Sequence, residues 1–309
     1  PALETAGIKQ TINGPFTFAP DGNPLVGPVR GLKNFWVACG VMAGFSQGGG
    51  VGLALANWMV EGDPGFDVFA MDVARFGDFA TMAYTNAKVR ENYGRRFRIT
   101  FPNEELPAAR PLRTTAIYDR LKEANAVFGA SYGMEHALWF APEGEEPIET
   151  PTYRRSNAFE HAKAECKAVR EAVGMTETAI FAKYEVTGPG AEGWLSQLLA
   201  NRMPREGRLV LTPMLNPAGK IIGDFTVAKA GPERFFIFGS GIAEDYHLRW
   251  FEQHLPDSGV TLHARSRDMV GFIIAGPNSR ELLARLTDSD VSNAAFPFMD
   301  FRRMDLGMT

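Results

Sequence analysis

The chain contains little cysteine, no excess of positive charge and no long apolar run. Its two cysteines, Cys39 and Cys166, cannot build a disulfide framework, and no histidine stands beside them to complete a metal site. The 32 Lys and Arg against 36 Asp and Glu leave a net charge of −4, which argues against a nucleic-acid partner. Apolar runs such as residues 37–41 fall far short of the roughly 20 residues of a membrane span. We therefore expect no membrane partner and a reducing compartment such as the cytoplasm.

What the chain does contain is enough apolar sequence for a folded core. Of its 309 residues, 45% are hydrophobic and 22% are charged, values typical of folded proteins rather than disordered ones. That length predicts two compact units. The sequence begins at Pro1 without Met and stops at Thr309, shortly after an arginine-rich segment. These ends predict an interior piece of a longer polypeptide, although a processed or trimmed chain would look the same.

Glycine is concentrated in one stretch near the start of the chain. The apolar run Asn34–Ala38 predicts a buried strand, glycines crowd residues 40–52, and Leu53, Ala56 and Val60 then recur at helical spacing. The pattern predicts a strand, a glycine loop and a helix. Glycines in such a loop permit close backbone approach, and free N–H groups at a helix start attract an electron-rich ligand group. The stretch has no Walker ending and no G-x-G-x-x-G, so tight packing of the helix on the strand is the alternative.

The middle of the chain has a different composition. Residues 63–151 scatter Arg, Asn and Tyr among short runs that prolines interrupt. We predict helices around Asp78–Tyr93 and Thr115–Asn125. The acidic, proline-bearing segment Glu143–Thr150 predicts an exposed linker and a domain boundary near residue 150.

An internal repeat follows this boundary. Lys183–Pro189 and Gly271–Pro277 superpose without a gap, and each predicts a strand, a Gly-Pro turn and a helix. The elements predicted between the two copies are a hairpin, a strand and a helix, at Leu209–Leu215 with Lys220–Ala228, Phe235–Phe238 and Glu244–His254. Strands outnumber helices here, so we expect an α+β fold with an antiparallel sheet.

Few side chains in the second half of the chain suggest chemistry. Asp224 stands in the middle of the predicted strand 221–227, where a carboxylate would lose hydration unless a partner holds it. It is either an acid that binds an N–H-rich ligand or an outward-facing or ion-paired residue. His247 and His254 lie seven residues apart, which suits packing rather than paired metal ligands. There is no G-x-S-x-G elbow, so no Ser-His-Asp group is predicted, and no metal site is expected.

The residues described so far also carry a family resemblance that covers nearly the whole chain. Residues 17–59, with the Pro-apolar-apolar-Gly-Pro turn at 24–28, resemble the C-terminal end of the FAD-binding domain in the dimethylglycine and sarcosine dehydrogenase type of flavoenzyme. Residues 84–121 and 128–140 resemble the region that connects the flavin domain of these enzymes to a tetrahydrofolate domain. Residues 153–309 are similar to the first half of a folate-binding aminomethyltransferase domain of the glycine-cleavage T-protein type.

The resemblance implies three regions and a mixed fold. Residues 1–62 would be the C-terminal part of an FAD-dependent oxidoreductase domain of α/β type, 63–150 a connecting central region, and 151–309 the N-terminal part of an aminomethyltransferase-like folate-binding domain. The fold class of the chain is then α+β. The family's N-terminal G-x-G-x-x-G is absent from these residues, so we expect the chain alone to bind FAD weakly or not at all.

The resemblance also implies a function and two cofactors, FAD and tetrahydrofolate. The whole enzyme would oxidatively demethylate a small N-methyl amino acid and pass the one-carbon unit to tetrahydrofolate. Its partners would be this substrate, folate and the remainder of the same polypeptide, and a homo-oligomer is compatible with it. The alternative is a non-catalytic folate-binding or scaffold module that acts with a separate oxidase chain. Oxidase and dehydrogenase both remain open, as does the identity of the amine.

Individual residues take their expected roles from the same resemblance. The segment expected against the flavin ring comprises Val41, Met42, Ala43, Gly44, Phe45 and Ser46. Asp224 aligns with the aspartate that hydrogen-bonds folate and assists attack by the amine nitrogen. The residues expected to line or approach the pterin are Met214, Leu215, Phe238, Gly239 and Ser240. We therefore expect Asp224 to point into a pocket that these five residues bound.

Overall fold

The computed structural model describes residues 4–307, and their contacts separate the chain into two units. One unit contains Pro1–Val73 and Thr85–Arg96, and the other contains Ala74–Tyr84 and Phe97–Thr309. None of the helices within residues 4–307 combines the length and the hydropathy that crossing a membrane requires.

The first unit is built on a two-stranded antiparallel ribbon and one long helix. Its elements, with a second helix that begins in the other unit, are β1 Leu25–Pro28, β2 Trp36–Cys39, α1 Gly44–Glu61 and α2 Met82–Gly94. Trp58 of α1 packs on the ribbon, with its ring 6.2 Å from that of Trp36. Gly27, at φ +114°, makes room for it, because a Cβ there would lie 2.7 Å from the Trp58 ring. This contact explains the glycine of the Pro-apolar-apolar-Gly-Pro turn.

The predicted glycine loop is mostly helix. Only Gly40, at φ +65°, and the three residues after it form a turn, and α1 begins at Gly44. The remaining glycines of the stretch therefore lie in the first half of α1 at helical φ. The helix forms despite their low propensity because Val51 and Ala54 are buried and Trp58 packs on the ribbon. α1 ends at Glu61, and the next residue, Gly62, takes the left-handed backbone and donates its N–H to the Trp58 carbonyl.

The second unit contains a short helix that the sequence predicted and a hairpin that it did not. α3 occupies Tyr118–Glu123, shorter than expected, and α2 starts at Met82 rather than at Asp78. The hairpin and the helix after it are β3 Ala126–Ser131, β4 Met134–Phe140 and α4 Ala158–Glu171. Most of the predicted linker Glu143–Thr150 is exposed, as expected. Its Glu149 is the exception, because it accepts hydrogen bonds from the Trp139 indole and the Ser156 hydroxyl.

A five-stranded antiparallel sheet forms the core of this unit. In chain order its strands and the other elements of the region are β5 Gly174–Glu177, β6 Phe181–Thr187, α5 Ala191–Leu198, β7 Leu209–Leu215, β8 Ile221–Gly231, β9 Arg234–Ser240, α6 Glu244–Gln253, β10 Thr261–Ala264, β11 Phe272–Ala275 and α7 Ser279–Ala284. The strand order of the sheet is β10-β6-β9-β8-β7, and β5 pairs with β11 separately. Trp194 and Leu195 of α5 and Phe251 of α6 pack with the buried side chains of one face. The predicted α+β class and hairpin are therefore confirmed.

The internal repeat is present in the structure. β6 ends at Thr187 and β11 at Ala275, and a Gly-Pro turn leads from each strand into a helix. The two glycines adopt nearly the same left-handed backbone, with φ +117° at Gly188 and +120° at Gly276. At both positions a Cβ would collide with a backbone carbonyl, so only glycine fits.

Candidate functional site

The segment expected to meet a flavin forms the turn before α1 and the first turn of that helix. The amide of Met42 donates to the Gly40 carbonyl at 2.8 Å, and both the amide and the hydroxyl of Ser46 donate to the Ala43 carbonyl at 3.0 Å. In the same unit, Arg96 places Nη1 2.7 Å from the Met42 sulfur. These contacts give the turn a defined shape.

The surface of this helix start suits a flat, electron-rich group. The amides of Ser46 and Gln47 already donate to the Ala43 carbonyl, so the amides without an acceptor inside the helix are those of Gly44 and Phe45. No acidic side chain stands in the first turn of α1. Nothing lies within 4 Å of a Cβ built on Gly44 or Gly48, so the backbone is open to close approach. Phe45 is fully exposed beside it. The residues present therefore fit the carbonyl edge of an isoalloxazine ring.

The candidate folate residues lie on the five-stranded sheet, and successive side chains of β8 point to opposite faces of it. Phe225 and Val227 are buried against α5 and α6. Asp224 and Thr226 point to the other face, where Asp224 is exposed and Thr226 is half-buried. We call this second face the Asp224 face.

The expected pocket is wrong in two respects, the position of Met214 and the enclosure of Asp224. Met214 is opposite Gly223 and therefore points into the core, on the other side of the sheet from Asp224, and it is fully buried there. Leu215 follows an irregularity in the β7–β8 pairing and is half-buried. Asp224 is exposed rather than enclosed, which is the outward-facing alternative. An alternating strand cannot place both Met214 and Asp224 in one pocket.

Phe238 does share the Asp224 face. It stands directly opposite Thr226, and on the far side Thr226 is opposite Leu211, whose side chain is 61% exposed. Gly239 is buried and Ser240 is exposed at the end of β9. The structure thus brings a carboxylate, a hydroxyl and an aromatic ring to one open sheet face. Thr226 and Leu211 were missed, although the alternation of apolar and polar residues in β8 indicated the face of Thr226.

Charged side chains extend the Asp224 face toward the sheet edge. Glu185 of β6 is almost fully buried, yet it accepts hydrogen bonds from Arg234 at 2.6 Å and Arg265 at 2.7 Å. Burial would raise the pKa of Glu185, but these two guanidinium groups outweigh it and lower the pKa. Lys183, opposite Phe238, is buried as well, and burial lowers its pKa. No group of side chains suited to a metal ion occurs within residues 4–307.

A buried histidine lies on the core side of the sheet, behind Asp224. His247 of α6 places Nδ1 3.2 Å from the Tyr184 hydroxyl, and its ring centre is 4.7 Å from that of Phe225. Burial lowers the pKa of His247 to about 4, so it is neutral at pH 7. His247 is therefore a packing residue, as its spacing from His254 indicated.

A separate cleft of about 450 Å³ lies between the β3–β4 hairpin and the segment after the linker. Phe128, Leu138 and Tyr153 are among its lining residues. Arg110, one of the two arginines in its lining, is already bound to Glu135 and is not free for a ligand.

Comparison with known families identifies this architecture. Residues 117–309 match the GCVT N-terminal domain, and because this is more than half of the chain, the protein belongs to that family. The preceding residues 61–115 match the FAD dependent oxidoreductase central domain. The resemblance to dimethylglycine- and sarcosine-dehydrogenase-type flavoenzymes is therefore confirmed.

Relatives match along almost the entire chain. Mitochondrial dimethylglycine dehydrogenase from Homo sapiens is 35% identical over 98% of this chain and 35% of its own length. A formaldehyde-forming 4-methylaminobutanoate oxidase from Paenarthrobacter nicotinovorans is 32% identical over 99% of this chain and 38% of its own length. Mitochondrial sarcosine dehydrogenase from Homo sapiens is 31% identical over 96% of this chain and 37% of its own length. The chain spans little more than a third of the length of these curated relatives.

Proposed function

We propose that this chain is part of an FAD- and tetrahydrofolate-dependent enzyme that oxidatively demethylates an N-methyl amino acid of the dimethylglycine or sarcosine type. The observation that carries the proposal is the succession, in one chain, of an FAD oxidoreductase central-domain match and a GCVT-domain match. Relatives named for the oxidation of three different N-methyl amino acids support the same substrate class.

On the flavin side, residues 41–46 would approach the isoalloxazine ring. When bound, FAD supplies hydride acceptance from the N-methyl carbon. The Gly44 and Phe45 amides at the start of α1 would donate hydrogen bonds to a ring carbonyl oxygen, and Gly44 would keep the backbone bare enough for that approach. Residues 1–62 would then be the end of the flavin domain and 63–150 the connecting region.

On the folate side, the Asp224 face would receive the pterin and benzoyl rings. The Asp224 carboxylate would accept hydrogen bonds from N–H groups of folate and orient the amine nitrogen that captures the one-carbon unit. Phe238 offers a ring surface on the same face, and Thr226 lies between the two as a hydroxyl donor or acceptor. Gly239, Ser240 and Leu215 would contribute through the ends of their strands. Residues 151–309 would form the first part of this domain.

The relatives' names also suggest where the protein acts. We place it in the mitochondrial matrix if its source is eukaryotic and in the cytoplasm otherwise. Its partners would be the N-methyl amino acid, folate and the remainder of its polypeptide, with self-association into an oligomer.

The full-length protein tests the proposal directly. Purified enzyme is mixed with dimethylglycine, sarcosine or 4-methylaminobutanoate, flavin bleaching is followed at its absorbance maximum, and methylene-tetrahydrofolate and formaldehyde are measured separately. We expect bleaching with at least one amine, and tetrahydrofolate should convert formaldehyde product into methylene-tetrahydrofolate. Folate binding without flavin reduction by any N-methyl amine would instead support the scaffold alternative.

A further inference from the structure

The ring of Phe225 lies in a slot directly behind Asp224. Phe225 follows Asp224 in β8, points to the core and is 1% exposed. A Cβ on Gly223 would lie 2.6 Å from Cε2 and 2.7 Å from Cζ of this ring, and a Cβ on Gly239 of β9 would lie 2.7 Å from Cδ1 and Cε1. Neither glycine has a left-handed backbone, so the space for the ring is what requires them. A glycine on each of two neighbouring strands thus makes room for one aromatic ring.

His247 closes the slot from the helix side. Its ring meets that of Phe225 at 4.7 Å and 66°, and its Nε2 would lie 3.3 Å from a Cβ on Gly223. The Tyr184 hydroxyl fixes the other ring nitrogen at 3.2 Å. The Phe225 ring is therefore held by β8, β9 and α6, and β6 supports the histidine.

The strand needs this support near Asp224, because the sheet ladder is irregular there. The pairing of β7 with β8 shifts between Met214 and Leu215, immediately beyond the pairs of Pro213 with Asp224 and Met214 with Gly223. The register of β8 with β9 begins at Thr226 opposite Phe238, two residues past Asp224. Asp224 therefore lies next to the irregularity with β7 and outside the register with β9, and the seated Phe225 ring anchors the neighbouring residue of the strand.

We propose that Phe225 is the positioning residue for Asp224, and that the slot of Gly223, Gly239 and His247 sets the height of that carboxylate above the Asp224 face. The proposal rests on the proposed function of Asp224. Phe225 touches no substrate. It acts through the backbone that it shares with Asp224.

The test is a substitution that fills the slot and a second substitution that reopens it. Gly223→Ala puts a methyl group where the far end of the ring lies, and Phe225→Leu removes Cε and Cζ, the atoms that it would meet. In the full-length holoenzyme we expect Gly223→Ala to lower both the methylene-tetrahydrofolate formed per amine oxidised and the affinity for tetrahydrofolate by about tenfold or more. The double variant Gly223→Ala/Phe225→Leu should recover most of both losses, with the rate of amine oxidation unchanged throughout.

A control separates positioning from general loss of stability. Leu195→Ala removes a fully buried side chain of the same core from α5, and we expect it to lower the thermal unfolding temperature while both folate readouts stay at the wild-type level. The proposal would be overturned if Gly223→Ala kept the wild-type folate readouts or if Leu195→Ala lost them to the same extent. It would also be overturned if the double variant did not recover them.

Asp224→Ala distinguishes the two levels of failure. If Asp224→Ala keeps the wild-type folate readouts, the proposed function of Asp224 is wrong and the positioning role falls with it. If Asp224→Ala loses them while Gly223→Ala keeps them, only the positioning role is wrong.

Discussion

Arg110 donates a hydrogen bond to each oxygen of the Glu135 carboxylate. Its Nε lies 2.8 Å from Oε1 and its Nη2 lies 2.6 Å from Oε2, while Nη2 also donates to the Phe128 carbonyl at 2.9 Å. The side chain of Glu135 is only 2% exposed, near the turn of the β3–β4 hairpin. The hydrogen bond to Glu135 raises the pKa of Arg110 despite its partial burial. One guanidinium thus ties the loop before α3 to both strands of the hairpin.

We expect Arg110→Ala to lower the free energy of unfolding by about 3–5 kcal/mol, because it leaves the Glu135 carboxylate buried and unpaired. Urea unfolding followed by circular dichroism measures the change. Replacing both partners, Arg110→Met with Glu135→Leu, should cost far less. As a matched control, Arg285→Ala removes an exposed pair with Glu281, for which we expect no more than about 1 kcal/mol. Equal losses in the two single variants would contradict the buried-charge explanation.

His247 predicts a loss of stability in mild acid. Its pKa is about 4 in the folded protein and about 6.5 in the unfolded chain, so between these values the unfolded state binds more protons. The contribution of His247 to the free energy of unfolding is therefore complete above pH 6.5 and falls as the pH drops toward 4. At pH 5 the loss is about 2 kcal/mol. Urea midpoints at pH 7 and pH 5 measure it, and His247→Gln should flatten this part of the profile. An unchanged slope in the variant would assign the acid sensitivity to other groups.

Two glycine substitutions five residues apart, one in a turn of the internal repeat and one in α5, should change stability in opposite directions. Gly188→Ala forces a Cβ onto a backbone carbonyl at φ +117°, and we expect it to destabilise the unit by roughly 1–3 kcal/mol. Gly193→Ala in α5 has nothing within 4 Å and should stabilise the helix by roughly 0.5–1 kcal/mol. Thermal unfolding of both variants measures the effect. A change of unfolding temperature in the same direction for both would contradict the prediction.

Asp224→Asn tests the charge of the candidate folate residue rather than its presence. The amide keeps the shape of the side chain but loses the charge-assisted hydrogen bonds, so we expect tetrahydrofolate capture to weaken by roughly 1.5–3 kcal/mol. Isothermal titration with tetrahydrofolate, together with the yield of methylene-tetrahydrofolate, provides the measurement. Thr212→Ser on the core side of neighbouring β7 is the control for a change that does not reach the Asp224 face. A wild-type affinity in Asp224→Asn would remove the charge from the explanation.

Local sequence signals predicted the elements whose geometry is local. The turn 216–219 was readable because Asn216 accepts hydrogen bonds from the turn amides and Gly219 takes the left-handed backbone. The Gly-Pro turns at Gly188 and Gly276 were readable for the same reason. The hairpin β3–β4 was not, because its two-residue turn has Tyr132, an unusual residue for a left-handed backbone, ahead of the left-handed Gly133. The pairing of β5 with β11 was not either, because it joins strands almost 100 residues apart.

The failures arose where packing overrides propensity. Five glycines between residues 44 and 52 favoured a loop, but the buried face of α1 at Val51 and Ala54 stabilises a helix through them. For Asp224, the alternation of β8 indicated the outward face, whereas its central position in the strand suggested burial. The slot around Phe225 was invisible, since His247 and Tyr184 are 63 residues apart and meet only in the folded unit.

The repeat also has an unequal second half. β6 is hydrogen-bonded on both edges, to β10 and β9, whereas within residues 4–307 its counterpart β11 is bonded to β5 alone. Phe272 and Ile273 of β11 are nearly half exposed. An unpaired strand edge is a place where another strand can add, so we expect this chain to self-associate more strongly as its concentration rises, which light scattering over a concentration series measures.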